Sequence, residues 1–313
     1  MNALKTPLCF GKVAVAMGGF AAEREISLLS GKAVLAGLQS EGVDAVAFDT
    51  RDGSLESLKD MDVDRVFNII HGRGGEDGQL QGALGLLGIP YTGSGVLGSA
   101  LGMDKWRTKL CWTGCGVSTP KWMMLSAASD VAACAQALGF PVIVKPVLEG
   151  SSIGMAKAND AKQLAIAYNN AARFGCEVMA EQWVEGPEYT VAILSGKALP
   201  MIKLETPHDF YDYEAKYKSN STQYHCPCGL EQEKEVELQK LAIKAFEVVG
   251  GCGWGRVDLM LDDNGNAWFL EINTVPGMTD HSLVPMAAKQ AGISFSELTL
   301  QILETSFIEA GAV

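Results

Sequence analysis

Residues 268–282 read WFLEINTVPGMTDHS. The segment opens as a buried strand, aromatic then aliphatic, yet sets Glu271 and Asn273 into the run before a Pro-Gly break. Two residues apart on a strand is one face of the sheet. Upstream lies a second strand pattern, GRVDLML (255–261), separated from AWFLEIN (267–273) by DDNGN. Asn264-Gly265 predicts a two-residue type I′ hairpin turn, because that turn needs positive φ at both central positions. Such a turn sets Asp258 opposite Glu271 and Arg256 opposite Asn273, all four on one face.

Directly opposed carboxylates lie about 4.5–5.5 Å apart and repel. A bound cation relieves this. Two carboxylates and an amide, Asp258, Glu271 and Asn273, are an oxygen-only set suited to Mg²⁺ or Mn²⁺ rather than zinc. Mg²⁺ completes its shell with water and substrate phosphates, which points to a nucleotide. The competing reading is a solvent-facing strand side carrying two acids by chance.

The 313-residue chain carries 48% apolar and 20% charged residues, ordinary for a globular protein with two or three units. A net charge of −12 argues against nucleic acid or an anionic membrane as partner. No apolar run reaches the ~18–20 residues of a membrane span. The N-terminal apolar segment reads as a first strand, not a signal peptide. Eight scattered cysteines without a CxxC pair are expected as free thiols in the cytoplasm.

Strand patterns GKVAVAM (11–17), DAVAFD (44–49) and DRVFNIIHG (64–72) alternate with helical EREISLLSGKAVLAGLQSEG and QLQGALGLLG. That alternation predicts an α/β fold with an N-terminal parallel sheet, and ligands collect at the carboxyl ends of such strands. Near Met103-Asp104-Lys105 a second unit begins, with helix KWRTKLCWTG, strands KWMML and PVIVKP, and the glycine-rich EGSSIGM. A third contains EYTVAILSG, helix EQEKEVELQKLAIKAFEVVG and the hairpin. GKVAVAMGGF lacks GxGxxG, which removes a nicotinamide dehydrogenase.

Each further candidate has a bland alternative. Lys145 and Lys105 can supply fixed positive charge to phosphates, and loop 150–154 can bring backbone N–H groups to them; the alternatives are a surface lysine at 105 and an ordinary turn. Glu23 can pair with an ammonium or serve as a helix-start acid. His71, ending a strand, can orient substrate or handle a proton, or be a satisfied structural histidine. Trp183 alone reads as a core aromatic.

The motifs GGFAAEREISL, HGRGGEDGQLQG, YTGSGVLGSALGMDK, VKPVLEGSSIGM, YDYEAKY, GRVDLML and LEINTVPGMTDHS occur in the order found in one family. Together they resemble the D-alanine–D-alanine ligase family of ATP-grasp enzymes over nearly the whole chain. The resemblance implies an N-terminal α/β domain (1–103), a central ATP-grasp subdomain (104–189) and a C-terminal ATP-grasp subdomain (190–313) with a lid at 206–228 and the metal site. It implies ATP bound by Lys105, Lys145, Glu149, Gly150, Ser151, Ser152, Gly154, Glu181, Trp183, Val184 and Glu188, with two Mg²⁺ or Mn²⁺ ions. Glu23 would take the ammonium of the first D-alanine and hydrogen-bond Ser151 and Tyr217, while His71, Lys216, Asn273 and Ser282 serve substrate. Arg256 and the Gly277 N–H would form an oxyanion site. Tyr217, where other members have Phe, is associated with an amide rather than an ester product, and Ala21 stands where Ser is common. A cytoplasmic homodimer is implied, making D-alanyl-D-alanine for peptidoglycan through an acyl phosphate. Ligation of another carboxylate and amine, or nucleotide binding without turnover, are the competing functions.

Overall fold

In the computed structural model, residues 6–127, 130–206 and 222–308 are described. β1 (Lys12–Met17), α1 (Arg24–Ser40), β2 (Asp44–Asp49), α2 (Ser57–Asp60) and β3 (Arg65–Asn68) build a parallel sheet in the order β2-β1-β3. β1 is central and buried along nearly all its length, as a parallel strand covered on both faces must be. Its carboxyl end opens into Gly18-Gly19 and that of β3 leads to His71-Gly72, the edge from which the site is built.

Next come α3 (Gln79–Leu87) and α4 (Val96–Met103). Local propensity does not predict α4, because Gly98 and Gly102 lower it. Tertiary packing needs both. A Cβ on Gly98 would lie 2.0 Å from the Gly250 carbonyl oxygen, and one on Gly102 2.9 Å from Ile272.

α5 (Lys105–Gly114), β4 (Trp122–Leu125), α6 (Val131–Leu138), β5 (Val142–Pro146), β6 (Ala156–Ala158), α7 (Ala161–Ala171) and β7 (Val178–Gln182) follow. Their antiparallel sheet runs β4-β7-β5-β6, with α6 and α7 on a shared apolar core. α5 starts at Asp104, whose carboxylate caps the Arg107 N–H at 2.9 Å. It packs toward the C-terminal sheet: Trp112 is fully buried, donates to the Ala245 carbonyl at 2.8 Å and meets Phe269 edge-on.

β8 (Glu188–Leu194), β9 (Lys197–Ala198), β10 (Ile202–Glu205), β11 (Gln223–His225), α8 (Gln232–Glu247), β12 (Trp254–Leu261) and β13 (Ala267–Asn273) form the third sheet, ordered β11-β10-β8-β12-β13 with β9 paired to β8. α9 (Leu283–Gln290) and α10 (Phe295–Glu304) close the chain, and neither was assigned from sequence. α10 begins with a Ser294–Glu297 capping box and lies on α1, where Gly37 lets Thr299 approach.

The β12–β13 hairpin pairs Asp258 with Glu271 and Arg256 with Asn273, as expected, but by another route. The turn is not the two-residue type: Asp262 N–H bonds the Asn266 carbonyl, Gly265 N–H bonds that of Asp262, and only Gly265 has positive φ (+76°). This three-residue loop shifts the register by one. A bulge between Asp258 and Leu259 shifts it back. The two displacements cancel at the functional rungs.

Gly98→Ala forces α4 away from the 250–251 turn, an overpacking cost of about 1–3 kcal/mol. Scanning fluorimetry is expected to show a thermal midpoint lowered by several degrees. An unchanged midpoint contradicts the close approach.

Candidate active site

The face of β12 and β13 carries two charged rungs. Asp258 is buried and fully engaged: Arg256 donates to both oxygens (2.8 and 2.7 Å), Thr190 Oγ1 to one (2.6 Å) and Asn273 Nδ2 to the other (3.1 Å). Glu271 pairs with Lys105 Nζ at 3.4 Å, and that ammonium also donates to the Glu149 carbonyl at 2.7 Å. The repulsion that the sequence reading relieved with a divalent ion is therefore already offset by two side-chain cations. Among the described residues no group of three or more His, Cys, Asp or Glu converges on one point. Glu271 and the Asn273 amide oxygen still fit a cation that takes oxygen ligands and draws the rest from water or phosphate, and Asp258 would join them by exchanging one of its present donors for the ion.

Glu271 and Asp258 line a cleft of about 370 Å³ between the central and C-terminal sheets. Ile143, Met155, Leu204, Met260 and Leu270 give it apolar walls, and Lys145, Ser152, Glu181, Val184 and Glu188 also face it. Trp183 sits half-buried at its rim, donating to Glu185 (2.9 Å) with Lys157 4.0 Å over its ring, so it is not a core aromatic. Glu181 reaches the cleft as an anchor for lysines. Its two oxygens hold Lys109 and Lys145 respectively. Burial alone would raise the Glu181 carboxyl, but the two ammonium charges outweigh it and hold it low; burial pulls Lys109 down to about 8.

A second, smaller cavity of about 80 Å³ adjoins, lined by Glu23, His71, Gly150, Ser151, Arg256, Asn273, Gly277 and Ser282. Glu23 is 4% exposed. Cβ atoms at Gly72 and Gly150 would each lie 2.7 Å from a Glu23 oxygen, so glycines from two units cradle one carboxylate. Burial, then the Glu149 charge, raises its affinity for a proton, against Lys105 and a hydrogen bond from Ser151. Ser282 Oγ accepts from the Thr279 N–H at 2.9 Å beside Gly277.

His71 lines this cavity with both ring nitrogens already hydrogen-bonded. Its Nδ1 donates to the Val275 carbonyl (2.9 Å) and its Nε2 accepts from Ser30 (3.1 Å), and burial lowers its pKa to about 4. It is a neutral bracket at physiological pH. The same Val275 gives its N–H to Glu76 Oε1 (3.0 Å), whose Oε2 accepts from the Gly72 N–H (2.6 Å). Both peptide groups of the residue before Pro276-Gly277 are thus held by side chains from the parallel-sheet unit. Burial, with the Glu23 charge, pushes Glu76 up to about 7.

The glycine loop is also distributed differently from expectation. Glu149 turns to Arg73 (3.1 Å), Gly150 and Ser151 turn to Glu23, and Gly154 (φ +73°) makes room for Phe174; of residues 149–154 only Ser152 lines the larger cleft. Lys216 and Tyr217 lie outside the described residues. Sequence reasoning missed Glu76 and Lys109. Glu76 lay inside the quoted HGRGGEDGQLQG motif, and Lys109 stands one helical turn after Lys105, which is the signal that could have found it.

Glu76 binds its proton more tightly in the folded chain than its ordinary value of 4.5 allows, so folding takes up a proton between pH about 4.5 and about 7. Stability on this account falls as pH rises through that window and levels off above it. The midpoint difference between wild type and Glu76→Gln is expected to move in the variant's favour from acid to neutral pH. A constant difference contradicts the assignment.

Comparison with known proteins matches residues 111–304 to the family described as D-ala D-ala ligase C-terminus and residues 49–94 to D-ala D-ala ligase N-terminus. A D-alanine–D-alanine ligase of Methylococcus capsulatus is 62% identical over 298 residues, covering 95% of this chain and 96% of the relative. The crystal structure of D-alanine–D-alanine ligase from Bacillus anthracis superposes with a TM-score of 0.84 at 33% identity, covering 95% and 97% of the two chains. The same enzyme complexed with ATP gives 0.82, with the same identity and coverage. Two cavities on one charged hairpin, and matches that span both ends of the chain, lead to one conclusion: this protein belongs to the D-alanine–D-alanine ligase family.

Proposed function

We propose that the chain joins two molecules of D-alanine into D-alanyl-D-alanine, a peptidoglycan precursor, converting ATP to ADP and phosphate. One observation carries this reading. Successive inward positions of the hairpin face two cavities: Arg256 and Asn273 line the smaller, Asp258 and Glu271 the larger. Two residues of strand separate the rungs by about 7 Å. A carboxylate held in the smaller cavity therefore meets a terminal phosphate held in the larger.

The apolar walls of the larger cleft suit a purine, and Lys145, Lys105 and Ser152 suit its phosphates. Asp258, Glu271 and the Asn273 amide would hold Mg²⁺ or Mn²⁺, which when bound neutralises phosphate charge. In the smaller cavity Glu23 takes the first D-alanine's ammonium, and pairing with that cation favours its ionised form. The carboxylate of this D-alanine attacks the γ-phosphorus and ADP departs, leaving an acyl phosphate; positioning and charge do most of this work. The amine of the second D-alanine attacks the acyl carbon, the oxyanion develops near Arg256 and the Gly277 N–H, and phosphate leaves. Val275, clamped by His71 and Glu76, holds that N–H in place. None of the eight cysteines, all free, takes part. Family resemblance assigns Tyr217 and Lys216 to substrate, and makes the protein a cytoplasmic homodimer. Among the described residues no helix is long and apolar enough to cross a membrane.

Incubation with ATP, Mg²⁺ and D-alanine, read by mass spectrometry, is expected to yield the dipeptide and ADP; dependence on an L-amino acid instead overturns the substrate. Glu271→Gln is expected to lower ADP release by about a hundredfold or more with an unchanged circular dichroism spectrum, and Asp258→Asn to lower it as far but with a reduced thermal midpoint, because it leaves Arg256 unpaired. Near-normal turnover in both removes the metal assignment.

A further inference from the structure

The three-member cluster behind the nucleotide cleft contains one residue that lines neither of the two cavities. Lys109 is 0% exposed, on α5, one turn after Lys105. Its ammonium donates to Thr119 Oγ1 and to Glu181 Oε1; Thr119 in turn donates to the Phe269 carbonyl at 2.9 Å. Glu181, on β7, gives its other oxygen to Lys145 on β5, which lines the cleft. The cluster holds two ammonium groups and one carboxylate, a net charge of +1. Lys109 is closed off from the cleft, while Glu181 and Lys145 stand at its wall.

We propose that Lys109 is a positioning residue for the nucleotide: by neutralising and fixing Glu181, it leaves the charge of Lys145 uncompensated toward the phosphates. The proposal rests on the reading of this cleft as the ATP site. Without Lys109, Glu181 and Lys145 form a closed neutral pair at the wall of the cleft, and the polyanion loses one unit of fixed attraction. At partly buried distances one such charge alters affinity about tenfold or more. A buried lysine so placed also cannot be left without its carboxylate, which explains why an acid stands at the wall of a site for an anion.

The test compares inhibition constants of ADP and adenosine against ATP, because only ADP carries the charge that Lys145 would sense. In Lys109→Met the ratio of the adenosine constant to the ADP constant is expected to fall about tenfold, with KM for ATP raised and KM for D-alanine within about twofold of wild type. In Lys109→Met/Glu181→Gln, where Lys145 is again uncompensated, the ratio is expected to return to within about threefold of wild type, and a lost adenine contact would weaken both ligands alike. The double variant replaces a buried ion pair with neutral groups, so it keeps the proposal testable where the single variant fails to fold. A wild type that turns over ATP, with the ratio unchanged in folded Lys109→Met or still depressed in the double variant, overturns the role of Lys109 alone. A wild type that binds no adenine nucleotide overturns it together with the reading of the cleft.

Discussion

The bidentate pair between Arg256 and Asp258 is the interaction on which the site depends. Both side chains are largely withdrawn from water, at 12% and 6% exposure, and they occupy successive inward positions of one strand. Removing either partner would leave the other as a buried, unpaired charge, which is far more costly than the pair is favourable. The pair therefore locks two rungs of the hairpin together. One rung belongs to the amino acid cavity and the other to the nucleotide cleft, so the ion pair sets the spacing across which the two ligands react.

Around it, each unit of the chain contributes groups whose placement another unit enforces. Glu23 starts α1, yet its carboxylate lies between Gly72 and Gly150 and accepts a hydrogen bond from Ser151. His71 and Glu76 follow β3, yet they hold both peptide groups of Val275. Lys105 and Lys109 are consecutive turns of α5, yet they serve Glu271 on β13 and Glu181 on β7. Where carboxylates cluster this closely, burial raises both Glu23 and Glu76, helped by the charge of Glu149 on the first and of Glu23 on the second; where lysines surround a carboxylate, Glu181 is lowered. One rule, the balance of desolvation against neighbouring charge, accounts for both directions.

Much of this was legible in the chain. Period-two and buried-run patterns located the strands of the parallel sheet, and the alternation in GRVDLML and AWFLEIN placed four polar residues on one face. The pairing of Asp258 with Glu271 came out as expected although the turn type did not, because the loop's extra residue and the bulge after Asp258 are equal and opposite. The terminal helices α9 and α10 and the glycine-bearing α4 were not seen. Their stability comes from packing on α1 and on the C-terminal unit, which no local propensity records.

By itself the sequence determined which residues could do chemistry: short-range alternation and glycine placement are local properties that one stretch of chain displays whole. Only the tertiary structure decided what each charge faces. It assigned the offset of Asp258 and Glu271 to Arg256 and Lys105, turned His71 into a neutral bracket, and made Glu181 the link between a lysine sealed in the core and one that lines the cleft. Those outcomes depend on distance and dielectric between groups far apart in sequence, such as Lys109 and Glu181, and these quantities exist only once the chain has folded.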